Sequence, residues 1–449
     1  MATIPPRVAL TEKAAFFGGN VGNIVFSTTI NAFLLIYLTD VIGLAAAAVG
    51  TLFLVARIVD GVSDPVMGYV IDHLPVTRWG RFRTYLLVGG VVAAFSFVAL
   101  FLAPAWAPWP LAAVWVAYLL WGFAFDLMDI PLNSLIPAMA TDPADRRQLS
   151  GIKAFAYLFG GALVTAAALP LADAVGWPAF VTGLAVVSVA LTATAAARVR
   201  ERVRPAGEER YGPRDLVRAL VTTRAVVVLF CAVVALTAAS GARSAGLAYY
   251  FTYVVGDRAL IAVAALVTVI PTAAGTIVFP WVARFAGYKA TFIGALTLEA
   301  ISIGTLLALP ADAVPLILAA LALTGFGGGG ALTLVYVIVA ELVDFLEWRG
   351  GHRMEGALAS LGSFAAKAGG GLGAALTGYT LSATGYAAGQ AQSAAGLRGI
   401  VLAQSALPAA LALLSAALFA LYPVSRALSA RVAADLARRR EETHGLLAR

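Results

Sequence analysis

Residues 57–72 read RIVDGVSDPVMGYVID. Arg57, Asp60 and Asp64 are charged, yet the run is apolar on both sides. Asp60 and Asp64 stand four residues apart, which places both side chains on one face of a helix. Arg57 precedes Asp60 by one turn on the same stripe. A second stretch, WGFAFDLMDIP, repeats the device with Asp126 and Asp129 three apart. Two helices with paired carboxylates can converge on an oxygen-rich pocket. Oxygen ligands suit a hard cation such as Na⁺, and crowded, buried carboxyls suit a proton. The expected chemistry is therefore reversible cation binding, with the alternative that Arg57 simply neutralises its neighbours in a buried ion-pair lattice. Enzymatic chemistry is not expected: there is no HExxH and no nucleophile elbow. His73, His352 and His444 fall in separate segments, so no metal cluster or other cofactor is expected beyond such a cation.

The elements that must position these groups follow from composition. Apolar residues make up 61% of the chain and charged residues 12%, about half the charge of an average soluble domain. A helix that crosses a bilayer needs about 20 mostly apolar residues. Twelve such stretches are readable, at roughly 14–39, 43–70, 84–104, 110–138, 150–172, 177–197, 226–255, 260–283, 290–309, 314–341, 356–382 and 397–422. The runs are too long and continuous for a β-barrel. The fold class expected is an all-α integral membrane protein with twelve transmembrane helices in two six-helix halves. The halves are 1–197 and 226–425, joined by a central loop at 198–225 and followed by a charged tail at 426–449. MATIPPRVALTEK is polar and leads into the first span, so no cleavable leader is read there. Cys231 lies inside a span.

Of the 31 Lys and Arg residues, 25 fall in segments on the side of the N-terminus, four in spans, and only Arg258 and Arg398 on the other side. The positive-inside rule then puts both termini in the cytoplasm of a multi-pass cell-membrane protein. The net charge of +7 is an orientation signal and implies no nucleic-acid partner. A plan of six plus six spans about a basic loop is that of a secondary transporter built from repeats.

Four basic residues (Arg57, Lys153, Arg243, Lys367) and five acidic ones (Asp60, Asp64, Asp126, Asp129, Glu299) remain inside spans. Each costs about 2.5–3.5 kcal/mol at mid-bilayer on insertion scales, so each must face a wet cavity or a partner. Lys153, Arg243 and Lys367 offer cations to an anionic substrate, with Arg243 the best single candidate. The competing reading of Arg243 is a salt bridge to Glu299 or a bond to a backbone carbonyl. Trp121 and Tyr118 can stack on a sugar face or serve as core. GGGG at 327–330 and GGGLG at 369–373 lie in apolar spans with no following Lys-Ser/Thr, and read as close helix packing.

Several motifs are specific enough to carry a resemblance: LTDVIGL (38–44), GTLFLVARIVDGVSDPVMG (50–68), TRWGRFRTYLL (77–87), WGFAFDLMDIPLNSLIP (121–137) and DFLEWRGGHRMEG (344–356). Together they resemble the glycoside–pentoside–hexuronide:cation symporters of the major facilitator superfamily. The match is near-continuous over 10–170 and looser beyond. It implies the major facilitator fold, alternating access, and symport of a glycoside with Na⁺ or H⁺. By the same resemblance the cation site falls on Asp60, Ser63, Asp64 and Asp129, with Asp126 at a position that is usually polar. Lys367 matches a lysine that faces this site. The sugar site transfers poorly. The helix-1 Lys–Asp pair of melibiose permeases is replaced by Asn23 and Ile24, a Trp by Asn133, and an Arg by Ala154 next to Lys153. Galactosides are therefore not expected. A polar or anionic glycoside such as a hexuronide or sulfosugar is, with Asn23, Trp121, Asp129, Asn133, Lys153, Arg243 and Lys367 as substrate residues. Arg81, Arg83, Arg146 and Arg147, with Arg57 and Glu299, are the expected gating or charge partners. Animal lysophosphatidylcholine symporters are similar to the same family, which makes a lysophospholipid the alternative substrate. A monomer is expected.

Overall fold

Proline starts three of the helices, where its fixed φ suits the first turn and its missing N–H is not needed. Pro110 opens α4 (Pro110–Met139), Pro143 opens α5 (Pro143–Val175), and Pro178 is second in α6 (Trp177–Arg198). Asp142 caps α5 by accepting from the Ala144 N–H at 3.1 Å. Asp145, Arg146 and Arg147 thus lie on the first turns of α5. Single glycines with positive φ make two abrupt links: Gly176 from α5 to α6, and Gly287 between the helices Leu260–Ala286 and Tyr288–Gly304.

The computed structural model describes residues 8–73, 75, 77–140, 142–202, 223–350 and 355–447. Residues 203–222 of the expected central loop lie outside the described residues. The other helices are α1 (Leu10–Thr29, continued to Val41 by two π-helical segments), α2 (Ala46–His73), α3 (Phe82–Trp106), α7 (Arg224–Tyr249, continued to Val255 by a π segment), α8 (Leu260–Ala286), α9 (Tyr288–Gly304), α10 (Val314–Gly350), α11 (Glu355–Ala383), α12 (Ala394–Gln404), α13 (Ala406–Ala420) and α14 (Arg426–Leu447). Among the described residues, nine helices are long and apolar enough to cross a membrane: α3 to α10, and α12 joined to α13. The three remaining stretches expected from the sequence fall on α1 with its continuation, α2 and α11.

The chain groups into two compact units. One comprises Met1–Glu208 with Ser244–Leu266 and Ala374–Ile400; the other comprises Glu209–Arg243, Val267–Gly373 and Val401–Arg449.

In the first unit α3 packs on α4 and α6, α1 on α5 and α6, and α2 on α4. Tyr37, Phe97, Phe101 and Trp177 pack as one aromatic cluster, with Phe101 and Trp177 stacked at 5.8 Å. A short strap after α6 ties four helices together at one end. Glu201 accepts from three backbone N–H groups at the start of α3, those of Arg81, Phe82 and Arg83, each at 2.9 Å. A carboxylate there satisfies orphan amides and the helix dipole at once. Arg202 donates to Glu12 of α1 at 2.6 Å, and its N–H to the Ala138 carbonyl of α4 at 2.7 Å. At the other end, Asp40 in the π segment of α1 accepts from Thr39 (2.8 Å), Tyr253 (2.5 Å) and Tyr386. Tyr249 bonds Thr39 at 2.8 Å.

Glu12 sits 4% exposed. Burial pushes its carboxyl up, but Arg202 and the Ala9 amide outweigh this and hold it below the ordinary carboxylate value. A depressed acid adds stability above its unfolded pKa of about 4.3 and loses it as pH falls through the folded value. Wild-type thermal midpoint should therefore lose the strap's contribution only below about pH 4.3. Glu12→Gln should start with a lower midpoint at pH 7 and converge with wild type in acid, as read by a pH series of melting curves.

In the second unit α9 packs against α10 and α13, and α14 against α10. The core is formed by Leu229, Phe292, Leu296, Leu334, Ile338 and Phe419 with their neighbours. Both glycine runs are packing surfaces, as the sequence suggests. A Cβ on Gly329 would lie 2.5 Å from the Thr272 carbonyl oxygen of α8, and one on Gly327 would lie 2.7 Å from that of Ala295 on α9. Gly369 and Gly373 press in the same way on Val234 and Ala238 of α7, at 2.4 and 2.0 Å from their carbonyl oxygens.

Candidate functional site

Asp129 is the hub of a polar ring built by three helices of the first unit. Its Oδ1 accepts from the Asn23 amide of α1 at 3.1 Å, and its Oδ2 from the Asn133 amide one turn along α4 at 2.9 Å. Each asparagine turns its carbonyl oxygen to a donor on α5. Asn23 accepts from the Tyr157 hydroxyl at 3.0 Å, and Asn133 from the Lys153 ammonium. The ammonium also lies 5.2 Å from the centroid of the Tyr157 ring, a cation–π contact. The ring is thus Tyr157, Asn23, Asp129, Asn133, Lys153 and back to Tyr157. The two amides are oriented by it, because turning either over would face a carbonyl to the carboxylate. Lys153 neutralises Asp129 through Asn133 rather than by direct contact, which leaves the carboxylate held by neutral donors that a ligand can displace.

A second cluster lies between α2 and α4. Arg57 donates to Asp60 at 3.1 Å and to Asn31 of α1 at 3.1 Å. Asp60 is 7% exposed and its carboxyl leans on α4: a Cβ at Gly122 would lie 2.8 Å from its Oδ1. Gly122 precedes Asp126 by one turn on the same stripe. Asp126 is 3% exposed and interacts electrostatically with Arg57. Ser63 is buried, with its hydroxyl on the Asp60 carbonyl at 3.1 Å. Asp64 belongs to α2, but its side chain lies outside the described residues. The expected carboxylates therefore occupy two settings: Asp60 with Arg57, and Asp129 with the asparagines.

The remaining expected residues are placed as follows. Trp121 is 2% exposed, enclosed by Tyr118 and Phe125 at centroid distances of 5.7 and 5.0 Å; it is core of α4 and offers no face to a sugar here. Arg243 is paired with Glu299, Nη1 to Oε1 2.5 Å. Lys367 is half-buried on α11 in the second unit. Arg83 donates to the Ala196 and Ala197 carbonyls at the end of α6, at 2.6 and 3.0 Å, and Arg81 offers its backbone N–H to Glu201. Arg146 donates to the Ala140 carbonyl at 2.9 Å, and Arg147 is exposed. Tyr157, Asn31 and Gly122 are the site residues that sequence reasoning missed. Tyr157 follows Lys153, and Asn31 follows Asn23, at helical spacing on the same face; that periodicity was the available signal.

A family model described as MFS/sugar transport protein matches residues 15–426. The chain belongs to that family. Among curated relatives, the isoprimeverose transporter of Lactiplantibacillus pentosus is 31% identical over 439 residues, covering 94% of this chain and 90% of the relative. The glucuronide carrier protein homolog of Escherichia coli (strain K12) is 28% identical over 408 residues, covering 88% of each. The solved structure of the nucleoside transporter NupG is similar at a TM-score of 0.68 with 12% identity, over 93% of this chain and all of that one; at that identity the likeness speaks to fold alone. This MFS sugar transporter falls among the glycoside–pentoside–hexuronide:cation symporters, and it is a transporter rather than an enzyme.

Proposed function

We propose that this MFS transporter carries a polar glycoside across the cell membrane together with Na⁺ or H⁺, both termini facing the cytoplasm, by alternating access. The observation that carries the reading is the ring around Asp129. It alternates donors and acceptors (ammonium, amide, carboxylate, amide, phenol) around one carboxylate, the pattern that vicinal sugar hydroxyls engage as paired donors and acceptors. The Arg57–Asp60 cluster, with Ser63, Asp64 and Asp126, is the proposed cation site. Binding of cation and sugar is linked by a reciprocal coupling free energy. The relatives are named for isoprimeverose and glucuronide, which favours a sugar over the lysophospholipid alternative. An anionic sugar is the finer proposal, because Lys153 stands on the ring.

Thermal unfolding of the purified protein tests this directly, since a ligand that binds only the folded state raises the midpoint by mass action. Neutral glycosides, hexuronides, sulfosugars and lysophospholipids are compared with and without Na⁺ at two pH values. A sugar-class shift that grows with Na⁺ or with acid is expected. A shift with lysophospholipid alone would overturn the sugar reading.

A further inference from the structure

The Asp129 ring leaves one buried charge unused. Glu299 of α9 is 2% exposed. Its Oε1 accepts from Arg243 at 2.5 Å, while its Oε2 is buried without a hydrogen-bond partner. The socket is made by α10: a Cβ on Gly327 would lie 2.9 Å from the Glu299 nitrogen, and one on Gly328 would lie 3.3 Å from Oε1. Among the described residues Arg243 of α7 is the charged group that faces this carboxyl. The packed helix α13 has no ionisable side chain, and the first acid on α10 beyond the glycines, Glu341, is about three and a half turns away.

The two partners are unequal. The Arg243 side chain is 24% exposed, on the partly open stripe of α7 that also carries Ser240 and Ser244. α7 with its continuation is the most enclosed of the nine apolar helices, two-thirds buried through its most apolar window. Polar residues on the one open side of such a helix fit a wet cavity and not lipid. A solute can reach the guanidinium, but the carboxylate is sealed behind it.

We infer that Arg243 and Glu299 form a proton-linked anion site: a carboxylate or sulfonate on the substrate replaces Glu299 on Arg243, and the released carboxyl takes up one proton. This rests on the sugar-symporter reading and deepens it. The guanidinium exchanges one oxyanion for another, so its charge stays matched. Among the described residues the displaced carboxylate has no second cation, it is 2% exposed, and a buried unpaired carboxylate neutralises rather than stays ionised. The proton comes from water in the cavity and returns when the anion leaves and the ion pair re-forms. The site's net charge is the same in both states, so anion and proton enter together.

The test compares a hexuronide with its uncharged methyl ester on the full-length purified transporter. Proton uptake is read in weakly buffered solution, and affinity across pH. One proton more should be taken up per hexuronide bound than per ester bound. Hexuronide affinity should fall about tenfold per pH unit as pH rises, since proton uptake on binding favours the acid side. In Glu299→Gln the hexuronide should still bind, with that extra proton and this pH slope lost. Arg243→Met should weaken the hexuronide by about 30-fold or more and leave the ester within about threefold. Arg243→Met/Glu299→Leu removes both charges and should keep ester binding, which reports an intact fold. Unchanged proton uptake in Glu299→Gln, or equal loss of both sugars in Arg243→Met while the double variant binds the ester, would overturn the inference. If wild type binds the ester and takes up no more protons with the hexuronide than with the ester, only this inference fails; if it binds neither sugar, the symporter reading fails with it.

Discussion

Asp60→Asn should yield a transporter that binds and exchanges its sugar but no longer concentrates it. The substitution keeps shape and size, so the carboxyl's seat against Gly122 is preserved. What it removes is one negative charge, which leaves Arg57 without its 3.1 Å partner in the middle of a span. Coupling free energies between linked sites are typically about 1–3 kcal/mol, and removing a charged member of the cation site should erase most of that. Steady-state accumulation in vesicles under an imposed Na⁺ or proton gradient should fall from many-fold to about unity, while sugar–sugar exchange across the same membrane continues. Wild-type accumulation at the same ion stoichiometry would show that Asp60 is not part of the coupling site. Asp129→Asn is the informative contrast. Asp129 holds both asparagine amides in place, so its loss should abolish exchange as well as accumulation.

Gly373→Ala should cost the folded protein itself. The added Cβ would stand 2.0 Å from the Ala238 carbonyl oxygen and 2.6 Å from the Ala242 nitrogen, both backbone atoms of α7 that no rotamer change can move. Gly241, on the facing helix, is as tight, at 2.2 Å from the Gly370 oxygen. Overpacking commonly costs about 1–3 kcal/mol, occasionally more, and here two helices must separate along their contact to relieve it. The monodisperse fraction after detergent extraction should drop severalfold, with a lower melting midpoint. Gly183→Ala and Gly294→Ala, whose added methyls meet nothing within 4 Å, should behave as wild type or slightly better, because alanine favours the helix. If Gly373→Ala extracts and melts like Gly183→Ala, the close contact of α7 with α11 is wrong.

How much of this could be read from the chain depended on the range of each interaction. Spans were legible because hydropathy is a property of the segment itself. The Arg57–Asp60 pair was legible because it lies within one helical turn, and the glycine runs read as packing because their surroundings were apolar with no phosphate-loop lysine. The salt bridge of Arg243 to Glu299 was one of two readings the sequence allowed for Arg243, and the structure forms it. What stayed hidden needs a third dimension. Asp129 and Asp60 share a spacing pattern, yet one turns to α1 and α5 and the other to Arg57 and Gly122. Trp121 could not be told from a sugar platform, since burial among Tyr118 and Phe125 leaves no mark on sequence. Asp40 in LTDVIGL carried no local signal of its role, because its partners Tyr253 and Tyr386 lie more than 200 residues away.

Glu201 and Arg202 also bear on how the protein is made. Three amides at the start of α3 wait for a carboxylate 118 to 120 residues further on, and Glu12 waits 190 residues for its arginine. At about 5–20 residues per second of synthesis, the start of α3 exists for roughly 6–24 s before its cap does. For that interval the amino-terminal helices must be sheltered by the insertion machinery or by one another. The strap is thus the closing stitch of the first half, and a ribosome stalled before residue 201 should release a fragment that is inserted but not locked.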